Sequence, residues 1–130
     1  MHAIAHQSAR LTAVRVVYGL LATILVAAVA LELFAHDTGW WQLGVFGMGA
    51  DLALLAGAGS GLAQGQLHPR AVPLYNALHR FAGPAVLLAA VVIGSLGQAW
   101  LIGGLAWAFH IALDRALGYG LRTRDGFQRA

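Results

Sequence analysis

Trp100-Leu101-Ile102-Gly103-Gly104-Leu105-Ala106-Trp107-Ala108-Phe109-His110-Ile111-Ala112-Leu113-Asp114-Arg115 opens an apolar run that continues to Leu121 and reads as a membrane-spanning helix. It nevertheless carries His110, Asp114 and Arg115. At a helix centre each such group costs about 2.5–3.5 kcal/mol to insert, so all three must face partners, water or a ligand.

The whole chain shares this apolar character. Of 130 residues, 59% are hydrophobic and only 10% charged, and mean hydropathy is +0.70. These values point to one small integral membrane domain covering residues 1–130 rather than a soluble fold. Cysteine is absent, which excludes disulfides, iron–sulfur clusters and thiol catalysis. The basic excess comes from eight arginines, and without a basic stripe interleaved with aromatics it reads as membrane topology, not nucleic-acid binding. Arg10 and Arg15 precede an apolar core and Ala28-Val29-Ala30 imitates a cleavage site. An uncleaved first helix is nonetheless expected.

Four segments have the ~20 apolar residues that a span requires: roughly 12–33, 40–62, 73–96 and 100–121. Short connections make neighbours antiparallel, so the expected fold is all-α, a four-transmembrane-helix bundle running up-down-up-down. All eight arginines then fall on one side. The positive-inside rule makes that side cytoplasmic, with both termini inside a multi-pass protein of the bacterial cytoplasmic (inner) membrane and Trp40, Trp41 and Trp100 at the outer interface. The lipid bilayer is the first expected partner. Gly57 and Gly61 form a Gly-x-x-x-Gly pair, and Gly104, Ala108, Ala112 and Ala116 form a small-residue ridge. That ridge suits intramolecular packing, or a homo-oligomer or membrane-complex partner.

The other intramembrane polar groups are Asp51 in the second span and Tyr75, Asn76, His79 and Arg80 in the third. Counting residues from the loops puts them in two layers about one helical turn apart, Asp51 with His110 and His79 with Asp114. Pro84 should kink the third span beside them and free the Arg80 carbonyl. Asp51, His79, His110 and Asp114 are therefore the candidate catalytic residues and the candidate ligands of zinc or a similar divalent metal. Without metal, the same groups suit proton relay or acid/base chemistry. Asn76, Arg80, Arg115 and Tyr119 are the candidate substrate-binding residues, the arginines for an anionic headgroup.

Two other function classes stay open. Asp51, Asp114, Arg80 and Arg115 can neutralise one another as a buried ion-pair network in a non-enzymatic structural or assembly subunit. A haem or pigment site using His79 and His110 is the other, although an offset of about one turn disfavours bis-histidine ligation.

The stretch Trp107 to Leu121, with Tyr75-Asn76-Ala77-Leu78-His79 and Asp51, resembles domain-of-unknown-function family 4260, small four-helix bacterial membrane proteins. The resemblance implies the four-helix architecture and the importance of these positions, and no activity. Two departures stand out. The family carries an early glutamate where this chain has Leu11-Thr12-Ala13-Val14-Arg15, and a Thr-His-Leu-Gly tail where this chain has Gln128-Arg129-Ala130. A tail histidine serving as metal ligand would be missing here. A looser analogy links the polar site to membrane hydrolases of the ceramidase and adiponectin-receptor type, which have seven spans and three zinc-binding histidines.

Overall fold

A computed structural model describes residues 1–129. Among them the fold is all-helical, with one isolated antiparallel β-bridge between Arg122 and Gln128. The four expected segments appear as two continuous and two broken arms. α1 (His2–His36) is continuous and is the one described helix both long and apolar enough to cross a membrane. The second arm comprises α2 (Trp40–Met48), a 3-10 turn at Gly49–Asp51 and α3 (Leu52–Ala56). The third comprises a 3-10 turn at Pro69–Ala71, α4 (Val72–Leu78) and α5 (Ala82–Val92), and the fourth is α6 (Gln98–Leu117).

Both breaks have causes in the sequence. Gly44, Gly47 and Gly49 weaken the second arm just before Asp51, because glycine is the least helix-favouring residue apart from proline. In the third arm Pro84 has no N–H for the Arg80 carbonyl. The backbone opens at His79–Phe81, and each carbonyl there finds another donor. Trp107 Nε1 donates to Leu78 at 2.8 Å, Arg115 Nη2 to His79 at 2.9 Å, and the Gly83 N–H to Arg80 at 3.3 Å. The helix therefore breaks where a kink was expected.

α6 is the hub on which α1, α2 and α5 pack. Ile102, Ile111 and Ala112 on it are fully buried. Gly19 meets Ala116 while Gly39 sits on Ile102, so α1 runs antiparallel to α6; Gly83 against Trp107 and Leu88 against Gly104 give α5 the same sense. The small-residue ridge is largely consumed by this packing, since Gly104, Ala108 and Ala112 are buried within the chain. It does not form an outward surface. Nor do Gly57 and Gly61 pair on a helix face: α3 ends at Ala56, Gly57 lies against Leu67, and Gly61 occupies a turn with φ 77°. Outside the hub, Leu20, Ile24, Leu31, Val86, Val92 and Ile93 are exposed, so the exterior is strongly apolar.

Two devices close the end of α6. Gly118 takes the left-handed conformation and donates to the Arg115 carbonyl. Arg15 of α1 also donates, through Nε to Ala116 O at 2.9 Å and Nη2 to Leu117 O at 3.2 Å, a cation on the negative end of the helix dipole. Beyond Gly118 the chain turns back as a compact hairpin, with Thr123 N–H donating to Phe127 O at 2.8 Å and Arg129 N–H to Leu121 O at 3.1 Å. It docks on the 65–67 loop through Leu67 N–H to Gly126 O at 2.9 Å and Gln66 Nε2 to Asp125 O at 2.8 Å.

Candidate metal centre

The two breaks deliver their residues to α6. Asp51 stands on the 3-10 turn of the second arm and His79 caps the C-terminus of α4, while His110 and Asp114 lie one turn apart on α6. One ligand atom from each of the four lies within 4.8 Å of those of the other three. The two expected layers are thus one. Residue counting along straight helices misplaced them because the second and third arms are not straight.

The contacts form a closed ring. His79 Nε2 lies 3.5 Å from Asp51 Oδ1 and 3.4 Å from Asp114 Oδ2. His110 Nε2 lies 3.3 Å from Asp51 Oδ1 and 3.5 Å from Asp114 Oδ2. Ligands about 2.0–2.2 Å from a tetrahedral zinc are separated by about 3.3–3.6 Å along the tetrahedron's edges. The four nitrogen–oxygen separations match four of the six edges, and the nitrogen–nitrogen and oxygen–oxygen pairs lie within 4.8 Å.

The ring tautomers strengthen the match. His79 Nδ1 lies 2.8 Å from the Tyr75 carbonyl and His110 Nδ1 lies 2.9 Å from the Gly47 carbonyl. A carbonyl only accepts, so both Nδ1 atoms carry the proton and donate. In the neutral rings each Nε2 then presents a lone pair toward carboxylate oxygens, and both Nε2 atoms are buried without a hydrogen-bond partner. Lone pairs facing carboxylates repel, and either a proton on Nε2 or a metal ion held between the four groups relieves the repulsion. Donation of the outer ring N–H to a backbone carbonyl is also the usual support of metal-ligating histidine.

Burial is graded across the cluster. The His79 side chain is 1% exposed, His110 11%, Asp114 21% and Asp51 50%. The Tyr75 ring stacks on His79 at 3.9 Å between centroids. Asp51 and Asp114 face a cavity of about 300 Å³ that Tyr75, Tyr119, Arg122 and Gln128 also line.

The arginines do not neutralise the aspartates. Every carboxylate that meets a basic side chain within 4 Å among the described residues meets a histidine, not an arginine. Arg80 is exposed, and Arg115 donates to the carbonyls of His79 and Tyr119. The expected Arg–Asp network is therefore replaced by His–Asp contacts. The His79 and His110 rings lie 5.4 Å apart between centroids, edge to face, with carboxylate oxygens 3.3–3.5 Å from both Nε2 atoms. Tyr119 is exposed at the cavity rim. The Asn76 amide grips the backbone of Arg122 instead of facing open space.

Sequence reasoning missed Arg122 and Gln128, which the returning hairpin brings to the cavity wall. The available signal was the glycine spacing at 118, 120 and 126. Gly118 and Gly126 have φ of 94° and 95°, marks of a folded turn.

The model of a domain of unknown function, DUF4260, matches residues 19–130, which include all four clustered residues. No curated protein and no solved structure matches the chain.

Proposed function

The chain belongs to the DUF4260 family, a domain of unknown function, and on that footing we propose that it is a metal-dependent membrane enzyme whose centre is Asp51, His79, His110 and Asp114. One observation carries the reading: two imidazoles locked as Nδ1–H tautomers converge on two carboxylates with both Nε2 atoms unpartnered. Zinc suits this donor set, as do other divalent first-row ions that accept imidazole and carboxylate. When bound, such an ion polarises a substrate oxygen or lowers the pKa of its water toward neutrality. Asp51 is the most exposed of the four and is the ligand best placed to swing aside for substrate.

We read the four arms as crossing the cytoplasmic membrane of a bacterium up-down-up-down with both termini inside. The apolar exterior and the one-sided arginines support this. So does the location of the breaks: irregular backbone at membrane depth is tolerated where it is buried or lines a cavity, and interrupted helices commonly carry the site. The centre then lies toward the cytoplasmic side, in reach of a lipid-like substrate.

A second reading uses the same four ligands as a closed structural site tying three arms together, since structural zinc takes four protein ligands. The half-exposed Asp51 beside an open cavity favours the catalytic reading. Elemental analysis of the full chain purified in detergent, against a His79→Ala/His110→Ala double variant, tests both. About one divalent ion per wild-type chain and none in the variant is expected from a four-ligand site. A wild-type chain that binds no zinc, manganese, iron or cobalt after reconstitution would sink the proposal.

A further inference from the structure

Arg122 is the one cationic side chain lining the cavity, and its setting is that of a recognition group. Its backbone is held from both sides: its N–H donates to Asn76 Oδ1 at 2.7 Å, and its carbonyl accepts from Asn76 Nδ2 at 3.0 Å. Its guanidinium lies over the Tyr75 ring at 4.9 Å from the centroid. Nη1 donates to Gly65 O at 3.0 Å and Gly126 O at 2.8 Å. Those bonds fix the plane of the group and occupy one corner of it. Nε is buried with no partner among the described residues, and no carboxylate pairs with the guanidinium there. No hydrogen bond engages the Nε–Nη2 edge among the described residues, and such an edge takes two oxygens of one anion once the side chains covering the buried Nε give way.

Resting on the metal reading above, we propose that the cavity binds a phosphate group of the substrate between the metal and Arg122. A divalent ion balances Asp51 and Asp114, so Arg122 leaves the loaded cavity cationic. Phosphate has enough peripheral oxygens to meet both an ion and the two N–H groups of one guanidinium edge. A carboxylate has only two oxygens for those three partners. The volume of about 300 Å³ accommodates a phosphate or headgroup, not a whole lipid. Free phosphate esters and phospholipid headgroups share this chemistry.

The test uses the metal-loaded full chain and two probes: inorganic phosphate titrated calorimetrically in detergent, and phosphatidic acid offered in phosphatidylcholine nanodiscs with retention read by mass spectrometry. Binding of inorganic phosphate indicates a soluble source, and retention of phosphatidic acid alone indicates a headgroup; either supports the inference. Arg122→Gln should weaken the bound probe about tenfold or more, the worth of a pair of charge-assisted hydrogen bonds. Arg122→Lys, which keeps charge but loses the planar fork, should fall between. Gln66→Ala removes a hairpin contact without touching the guanidinium and should bind as wild type. Equal losses in Gln66→Ala and Arg122→Gln would mean undocking of the hairpin and would overturn the assignment, as would wild-type binding by Arg122→Gln or no binding of either probe. Elemental analysis of the same samples scores the metal separately, so a chain without metal whose Arg122 still binds phosphate defeats the metal reading and the bridging geometry but keeps Arg122 as the phosphate-binding residue.

Discussion

Asn76 and Arg122 are joined by a two-way amide clamp, with the Asn76 side chain accepting from the Arg122 N–H and donating to the Arg122 carbonyl. The clamp fastens the C-terminal hairpin to α4 one turn before His79. It makes the hairpin a wall of the site.

Asn76→Ala removes both bonds and should cost about 1–3 kcal/mol. The expected signature is local: faster amide exchange in residues 122–129, with the metal retained because Asn76 is no ligand. Unchanged exchange in the hairpin would refute the clamp.

Metal removal should destabilise the chain, because the four ligands belong to three separate arms. At free metal about a thousandfold above its dissociation constant, the stabilisation is about 4 kcal/mol. Chelation should therefore lower the thermal midpoint of wild type and leave that of His110→Ala unmoved. Equal shifts in both proteins would show that the chelator acts elsewhere.

Gly126→Ala and Gly44→Ala form a contrasting pair. A Cβ at Gly126 collides with the Leu67 backbone, and φ there is 95°. A Cβ at Gly44 meets nothing within 4 Å. The first should release the hairpin to limited proteolysis, whereas the second should be neutral or stabilise α2 by up to about 1 kcal/mol. Parallel digestion and melting of the two variants decides the matter.

Trp107→Phe keeps an aromatic ring against Gly83 but withdraws the N–H from the Leu78 carbonyl. An unsatisfied carbonyl at the break should cost about 1–3 kcal/mol. His79 caps the same turn, so metal affinity should fall alongside the melting temperature. A variant that melts lower with unaltered affinity would separate the break from the site.

Much of this was readable beforehand. Apolar run lengths marked the four arms, and ionisable groups in an apolar setting marked Asp51, His79, His110 and Asp114, because such groups must face a partner, water or a ligand. Pro84 announced the disturbance in the third arm. Depth was not readable: placing Asp51 against His79 required knowing that the second arm becomes a 3-10 turn at Gly49–Asp51, a choice made by tertiary packing around weak glycine positions. The fate of the arginines was equally hidden. Arg115 and Arg122 serve backbone carbonyls created by a helix break and a hairpin, and those acceptors exist only once the chain has folded.

The central place of α6 also orders events in time. α1, α2 and α5 pack chiefly on this helix, which emerges after all three during synthesis from the N-terminus. Before residues 98–117 leave the ribosome, the earlier arms lack their common surface and half of the ligand set. On the proposed reading, acquisition of an ion is therefore a late step in biogenesis, and truncation within α6 should yield an incompletely packed chain open to degradation, not a partly folded one that holds the site.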